Sequence, residues 1–208
     1  MYIAIEGVIG VGKTTLARLL KPVFEADLLL EVFEENPFLA DFYGDRQRYA
    51  FQTQIFFLLS RYHQQRAVVD TLTPDTKLLA DYTFKKDALF ASINLAGDEL
   101  DTYYEVHNAL AEKIPLPDLV IYLRASTNVL MQRITHRDRP YERDMSRDYI
   151  DEVNYAYENY FNRSYYGPPI LVIDSDSIDY MANANDLKWV EDRIRQTLKM
   201  SPFQAQLL

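Results

Sequence analysis

The chain has 208 residues, of which 48% are hydrophobic and 25% are charged, so it is long enough to bury one sizeable core. Its net charge of -9 argues against a nucleic acid polymer or an anionic membrane as the main partner, because binding a phosphate polymer requires clustered Lys and Arg. The absence of cysteine excludes a disulfide framework and a thiolate metal site, and it agrees with a cytoplasmic protein.

Five short apolar runs predict buried strands. In chain order they are Tyr2–Glu6, Leu28–Val32, Leu78–Asp81, Leu119–Leu123 and Ile170–Asp174. Their nearly continuous apolar character is typical of strands that are covered on both faces, as in a parallel sheet. Because the first strand begins at residue 2, we expect no signal or transit peptide, and no apolar run approaches the length of a membrane span.

Longer helical stretches separate these strands. They are Lys13–Glu25, Asp45–Leu72, Asp98–Lys113, Ser126–Arg137, Ser146–Arg163 and Asp186–Lys199. The alternation of strands and helices predicts an α/β fold, with a five-stranded parallel sheet flanked by helices. The sequence shows no repeat and no linker, so we expect residues 1–208 to form a single domain.

A phosphate-binding motif follows the first strand. The pattern G-x-x-x-x-G-K-[ST] is matched by Gly7, Gly12, Lys13 and Thr14. The glycines let successive backbone N–H groups converge on phosphates, Lys13 reaches the β- and γ-phosphates, and the Thr14 hydroxyl can bind Mg²⁺. The glycine spacing disfavours a Rossmann dinucleotide site. We predict that the phosphates are held by Gly7, Gly10, Gly12, Lys13, Thr14 and Thr15.

The motifs of other P-loop classes are not evident in the sequence. A GTPase switch would carry an N-K-x-D motif and, after its third strand, a D-x-x-G motif, and a motor protein would usually be longer. The chain carries instead a set of residues suited to holding a small molecule, which favours a kinase.

Two acidic residues end predicted strands. Glu31 lies at the end of the second strand and Asp81 at the end of the third. The carboxyl ends of parallel strands line the crevice where ligands bind, so Glu31 is placed to accept a proton from a hydroxyl and Asp81 to bind Mg²⁺. A lone Glu at a strand end is more often a solvated carboxylate, but the P-loop on the neighbouring strand favours the functional interpretation.

Gln54 and Arg61 lie seven residues apart on one predicted helix, so both project from the same face. An amide and a guanidinium on one face can read the edge of a nucleobase, and Asp87 could accept a hydrogen bond from an exocyclic amine. The alternative is a polar helix face in contact with solvent.

The charged stretch over residues 136–144 contains a proline and predicts a mobile surface loop, which we call the lid. Arg133, Arg137 and Arg139 cluster before Glu142. Arginines on a mobile loop can close over phosphates and offset the charge that develops in the transition state. Surface ion pairs within a charged loop are the alternative.

Together these residues resemble the deoxynucleoside kinase family over nearly the whole chain. The segments that carry the resemblance are "GVIGVGKT", "EVFEENPF", "FQTQ", "DYTFKKD" and "RDRPYE". Two of them, "EENPF" and "DYTFKKD", are similar to the bacterial deoxyadenosine/deoxyguanosine kinase branch. The resemblance implies a P-loop kinase fold with an arginine-rich lid, ATP and Mg²⁺ as cofactors, and a homodimer.

The resemblance also implies roles for single residues. Glu31 is similar to the general base for the 5′-hydroxyl of the nucleoside, and Tyr43 and Glu142 resemble the pair that holds the 3′-hydroxyl. The implied contacts to the base are Gln54, Arg61 and Asp87. The implied lid arginines are Arg137 and Arg139, and the implied acid near the metal is Asp81. Phe90 is a ring that stacks on the base or packs in the core.

The chain departs from the family pattern at three positions. Val32 replaces the proline after the base Glu, which affects only local backbone geometry. Tyr82 replaces the Arg of the E/D-R-S motif, so one positive charge near the transferring phosphoryl is missing, and Lys85 and Lys86 are candidates to replace it. Asp138 lies between the lid arginines, where a small residue is common.

The resulting hypothesis is transfer of the γ-phosphoryl of ATP to the 5′-hydroxyl of a deoxynucleoside. Deoxyadenosine is ranked first because its amine suits Asp87 and its ring acceptor suits Arg61, with deoxycytidine and deoxyguanosine as secondary substrates. One alternative is a nucleoside monophosphate kinase, which would need an Arg for the acceptor phosphate where Glu31 and Tyr82 lie. The other is a nucleotide-binding regulatory protein without turnover.

Overall fold

Parallel strands form one sheet at the centre of the molecule. The structure is a computed structural model that describes residues 1–69 and 72–200, apart from the side chains of Val69 and Ser164. Its strands are β1 (Tyr2–Glu6), β2 (Asp27–Leu29), β3 (Leu78–Ala80), β4 (Leu119–Arg124) and β5 (Ile170–Asp174). They lie in the order β2-β3-β1-β4-β5, and every pair is parallel, which confirms the predicted fold class.

Helices flank the sheet in the described part of the chain. They are α1 (Lys13–Phe24), α2 (Leu39–Gly44), α3 (Arg46–Val69), α4 (Lys86–Asn94), α5 (Gly97–Ala111), α6 (Thr127–Arg137), α7 (Arg147–Asn159) and α8 (Ala184–Thr197). Short helical turns cover Phe33–Glu35, Pro140–Glu142 and Tyr160–Ser164. Within the described ranges, no helix has the length and apolar character needed to cross a membrane.

Strand β1 is the middle strand of the five, with β3 on one side and β4 on the other. Ile3 lies opposite Leu79 of β3 and Leu119 of β4. Ile3 belongs to the large core cluster, whereas Tyr2 belongs to a smaller cluster against which Val68 of α3 packs. Burying an aliphatic side chain such as Ile3 contributes about 1.5–3 kcal/mol, so the sheet is stabilised from both faces.

The strand order brings three connecting loops to one edge of the sheet. Strands β1, β3 and β2 are neighbours and run in the same direction, so the residues that follow them meet at their carboxyl ends. The P-loop follows β1, Glu31 follows β2 and Asp81 follows β3. The fold therefore places the predicted phosphate loop and both predicted acids at the same edge.

The predicted end of the second strand at Val32 is wrong. Pairing of β2 stops at Leu29, opposite Ala80. Two residues later the backbone N–H of Glu31 donates to Asp81 Oδ1 at 2.8 Å, so a side chain replaces the next rung of the sheet. Glu31 consequently lies on a loop just beyond the strand.

Two helices, α2 and α4, were not predicted. The predicted helix over Asp45–Leu72 has different ends in the structure. Helix α3 begins at Arg46 and ends at Val69, residue 72 is not helical, and residues 70 and 71 of the predicted span lie outside the described residues. The predicted domain likewise includes residues 201–208, which lie outside them too. Neither α2 nor α4 begins with a side chain that caps its N-terminus, so the usual start signal is missing.

The lid is more regular than the predicted mobile loop. Helix α6 continues to Arg137 and ends at Asp138, whose positive φ of 45° closes the helix through a hydrogen bond to the Ile134 carbonyl. Pro140 starts a helical turn that ends at Glu142, which is buried. Glu142 therefore faces the interior of the site and not the solvent.

Candidate active site

The P-loop between β1 and α1 has the backbone that its glycines permit. Gly7 and Gly12 have φ angles of 146° and 104°, a region that favours glycine. A Cβ atom on Gly12 would lie 2.6 Å from the Tyr180 hydroxyl oxygen. Lys13 begins α1, and its Nζ donates to the carbonyl oxygens of Gly7 at 2.7 Å and Val8 at 3.1 Å. The positive end of α1 and the Lys13 ammonium therefore share one loop, as a phosphate site requires.

Asp81 connects the P-loop to the loop after β2. The Thr14 hydroxyl donates to Asp81 Oδ2 at 2.5 Å, and the backbone N–H of Glu31 donates to Asp81 Oδ1 at 2.8 Å. A hydroxyl and a carboxylate oxygen are the ligands that Mg²⁺ prefers, so Thr14 and Asp81 fit the ion that the sequence predicts. In the described ranges, His, Asp and Glu side chains form no group of three or more that could hold a metal ion.

Glu31 is a carboxylate between two cations. Its Oε1 accepts from Arg61 Nε at 2.9 Å and also from Arg61 Nη2, while its Oε2 accepts from Lys86 Nζ at 2.6 Å. Burial alone would raise the pKa of this carboxyl, but the charges of Arg61 and Lys86 outweigh burial and hold the pKa well below its usual range. Glu31 is therefore ionised at neutral pH.

The residues predicted to contact a base lie close together, but only two of the three line the cavity. Gln54 and Arg61 lie on one face of α3, and both line a cavity that also includes Lys13 and Glu31. Asp87 is completely buried in α4 and pairs with Arg61 Nη1. In the part of the chain that the structure describes, Asp87 is not among the residues that line this cavity, so the carboxylate lies behind the guanidinium.

Tyr43 and the lid residues form another wall of the same cavity. Tyr43 lies on α2, which contacts the turn that carries Glu142. Arg137 Nη2 donates to Glu142 Oε1 at 2.6 Å and to Oε2 at 2.7 Å. Arg139 Nη1 lies 3.7 Å from Oε1 of the same carboxylate. The Arg139 guanidinium also covers the Phe33 ring at 4.2 Å. The lid arginines thus face the cavity while they pair with the residue predicted to hold the 3′-hydroxyl.

Aromatic rings that the sequence analysis missed complete the cavity. They are Phe33, Phe42, Phe57, Tyr141 and Tyr149. Phe57 could have been found, because it lies three residues after Gln54 and four before Arg61 and so projects from the same helix face. Its ring centroid lies 4.6 Å from the Arg61 guanidinium. Phe90 also lines the cavity and contacts Tyr157 edge-on, so it serves both the core and the site.

Arg133 does not belong to the lid, although the sequence analysis grouped it there. Its Nη1 donates to the Val11 carbonyl at 3.1 Å, and its Nη2 donates to the Ser175 carbonyl at 2.8 Å. Arg133 therefore ties the P-loop to the segment after β5. Beside it lies a second cavity, lined in part by Gly10, Gly12, Thr15 and residues 176–183.

Comparisons with known proteins find similarity over nearly the whole chain. A sequence model of the deoxynucleoside kinase family matches residues 3–199. The chain is 33% identical over 201 residues to a deoxyguanosine kinase from Bacillus subtilis, covering 95% of this chain and 97% of that protein. It is 33% identical over 207 residues to a deoxyadenosine kinase from Dictyostelium discoideum, covering 97% and 83%. The structure of deoxyadenosine kinase from M. mycoides with the products dCMP and dCDP has a TM-score of 0.83 and 26% identity, covering 94% and 100%.

Proposed function

The chain belongs to the deoxynucleoside kinase family, and from that premise we propose that it transfers the γ-phosphoryl of ATP to the 5′-hydroxyl of a deoxynucleoside, with deoxyadenosine as the first candidate and deoxyguanosine or deoxycytidine as the others. The family makes it an ATP-dependent phosphotransferase, so the proposal concerns the acceptor and the residues that act on it. The observation that carries it is one cavity lined by the P-loop lysine Lys13, the carboxylate Glu31, and Gln54 and Arg61, the pair predicted to contact the base.

In the proposed mechanism, Lys13 and the P-loop amides bind the β- and γ-phosphates of ATP. Thr14 and Asp81 would hold Mg²⁺, which supplies positive charge at the phosphate oxygens. Glu31 orients the 5′-hydroxyl and accepts its proton, and Arg137 and Arg139 offset the charge that develops on the moving phosphoryl. Positioning and electrostatics supply most of the acceleration, because the protein forms no covalent bond to the phosphoryl.

A neutral acceptor is supported by the charge on the acceptor side of the cavity. Tyr43 and Glu142 line this side, and the carboxylate of Glu142 is already neutralised by Arg137 and Arg139. A monophosphate acceptor would bring a dianion beside Glu31, and the cations nearest to it, Arg61 and Lys86, already pair with that carboxylate. The uncharged sugar of a nucleoside instead offers hydroxyl groups that Tyr43 and Glu142 can bind.

Deoxyadenosine is the first candidate for the acceptor. The Gln54 amide can donate to one atom of a purine edge and accept from the next, which matches the ring nitrogen and the amine of adenine. Gln54 is buried at 3% exposure and lies on the cavity wall, so a base that made no hydrogen bond to it would leave its amide without a partner.

Deoxyguanosine is a second candidate because of the position of Asp87. Its carboxylate is buried behind Arg61, so it does not face the O6 carbonyl of guanine. The amide of Gln54, turned by 180°, matches that carbonyl and the neighbouring N–H group. The Bacillus subtilis relative, a deoxyguanosine kinase, supports this candidate.

The test is ADP release with each of the four deoxynucleosides and their monophosphates at matched concentrations. The proposal predicts the largest kcat/KM for deoxyadenosine, a smaller value for deoxyguanosine, and no turnover with the monophosphates. The change Gln54→Leu is expected to lower kcat/KM for both purines about tenfold or more, since it leaves the polar edge of the base without a hydrogen-bond partner. Gln52→Leu, an exposed residue of the same helix, is the matched control. Turnover with monophosphates alone would overturn the proposal.

We also propose a homodimer, with helix α3 at the contact between the two copies. Leu58 of this helix is completely buried, whereas the next residue, Leu59, is 41% exposed. An apolar side chain beyond the core face leaves surface for a second copy to cover. Light scattering of the purified chain separates a dimer from a monomer, and Leu59→Glu is expected to shift the mass to the monomer.

A further inference from the structure

Lys86 is a buried ammonium on the wall of the active-site cavity. It is the first residue of α4 and is 8% exposed. Its Nζ lies 2.6 Å from Glu31 Oε2, the carboxylate that the proposed mechanism uses. A lysine is almost never buried without an anionic partner, so the Glu31 carboxylate holds the Lys86 ammonium at the cavity wall.

Lys86 and Lys13 face the same space. Both line the cavity, and Lys13 belongs to the P-loop. Burial lowers the pKa of Lys13 to about 8, and the charge of Lys86 is the strongest of the neighbouring charges that act on it. Two ammonium groups in one poorly solvated wall repel each other, and an anion between them removes that repulsion. The γ-phosphoryl of ATP is such an anion.

The sequence analysis found one positive charge missing near the transferring phosphoryl, at Tyr82. Neither Tyr82 nor Lys85, the other candidate to replace this charge, points toward the phosphoryl site. Tyr82 is completely buried, and its hydroxyl donates to Gln64 Oε1 at 2.9 Å, on the side of α3. Lys85 Nζ donates to the Tyr166 carbonyl at 2.8 Å. In the described chain neither Tyr82 nor Lys85 lines the cavity that contains Glu31.

We propose that Lys86 is a catalytic residue whose ammonium contacts both Glu31 and the transferring γ-phosphoryl. The inference rests on the proposed kinase function and names the cation that works opposite Lys13. The charge that Tyr82 lacks is thus supplied from four residues further on, by the first turn of α4.

The chemical step balances without a proton from Lys86. The bond between the 5′-oxygen and Pγ forms, the bond between Pγ and the oxygen of the β-phosphate breaks, and the 5′-hydroxyl proton goes to Glu31. The Lys86 ammonium stays protonated and offsets negative charge on the oxygens of the phosphoryl. As its contact shifts from Glu31 to the phosphoryl, one cation leaves the carboxylate, and the proton affinity of Glu31 rises when the proton arrives.

The experiment compares Lys86→Met with Lys85→Met in the full-length chain. Lys86→Met keeps the length of the side chain and removes the charge, so kcat is expected to fall about 100-fold or more while the KM for the nucleoside changes little. If the ammonium touches the γ-phosphoryl, Lys86→Met weakens ATP binding about tenfold more than ADP binding. Lys85→Met is expected to leave kcat and the ratio of ATP to ADP affinity unchanged.

Each outcome decides the matter. Loss of kcat together with loss of the preference for ATP over ADP supports the proposal, and partial recovery of kcat in Lys86→Arg strengthens it. Unchanged kcat in Lys86→Met overturns it, as does a loss of kcat with an unchanged ratio of ATP to ADP affinity. If Lys86→Met does not fold in a thermal melt, Lys86→Gln carries the same comparison. Failure of the wild-type chain to phosphorylate any deoxynucleoside would instead refute the proposed function.

Discussion

At the scale of single residues, Glu31 shows how the site keeps a carboxylate charged out of water. Arg61 binds one of its oxygens and Lys86 the other, so the cost of burying the anion is offset on both sides. The sequence predicts Glu31 and Asp81 from their position after strands of a parallel sheet. It does not predict the contact between Lys86 and Glu31, because that contact depends on where an unpredicted helix begins.

Replacing Glu31 separates chemistry from binding. Glu31→Gln is nearly isosteric but cannot take a proton, so kcat is expected to fall about 10²–10⁴-fold. The dissociation constant of the nucleoside, measured by calorimetry, is expected to change less than about threefold if the residue acts mainly in the transition state. Glu35→Gln, an exposed residue of the following helical turn, is the matched control. Wild-type kcat in Glu31→Gln would remove this residue from the mechanism.

The pH dependence of ATP use follows from Lys13. Burial and then the charge of Lys86 lower its pKa to about 8, and a lysine carries its charge only below its pKa. In the free enzyme this charge is therefore lost as the pH rises through about 8, and kcat/KM for ATP is expected to decline there. Bound phosphates stabilise the ammonium, so kcat at saturating ATP is expected to decline only at higher pH. A flat kcat/KM between pH 7 and 10 would contradict the environment described for Lys13.

At the scale of elements, the P-loop was predictable and the short helices were not. Its glycines mark positive φ angles, and its lysine marks the start of α1. Helices α2 and α4 have six and nine residues and no capping side chain, so neither periodicity nor a start signal identified them. The lid was predicted as a mobile loop because its charges suggest solvent, whereas Glu142 is buried by its pairing with Arg137.

The shape of the P-loop can be tested at Gly12. An alanine there would need a φ near 104° and would place its Cβ 2.6 Å from the Tyr180 hydroxyl oxygen. Gly12→Ala is therefore expected to abolish measurable ATP binding, and Gly12→Ala combined with Tyr180→Phe is expected not to restore it, since the backbone strain remains.

Gly44→Ala is the control for this change. Gly44 is the last residue of α2, and in the described part of the chain no atom beyond its two neighbours and its own helix backbone lies within 4 Å of a Cβ built on it. Gly44→Ala is expected to keep the ATP affinity of the wild type, as measured by calorimetry. ATP binding by Gly12→Ala at wild-type strength would show that the loop does not need a residue with a positive φ at position 12.

At the scale of the whole molecule, the parallel sheet was predictable and its strand order was not. Alternating apolar runs and helices indicate an α/β sheet, but they do not say which strand neighbours which. The order β2-β3-β1-β4-β5 is what brings Lys13, Glu31 and Asp81 to one edge. The orientation of Tyr82 away from the site and the position of Asp87 behind Arg61 depend on how α3 and α4 pack, which composition and spacing do not encode.

The proposed reaction is transfer of the γ-phosphoryl of ATP to the 5′-hydroxyl of a neutral deoxynucleoside. The most direct measurement is incubation with ATP labelled in the γ-phosphate, using deoxyadenosine in one arm and 2′,5′-dideoxyadenosine, which lacks the acceptor hydroxyl, in the other. We predict that the label appears in deoxyadenosine 5′-monophosphate, in equal amount to the ADP formed, and in no nucleotide product of the dideoxy arm. Label on the 3′-oxygen, label in inorganic phosphate alone, or equal labelling in both arms would contradict the account.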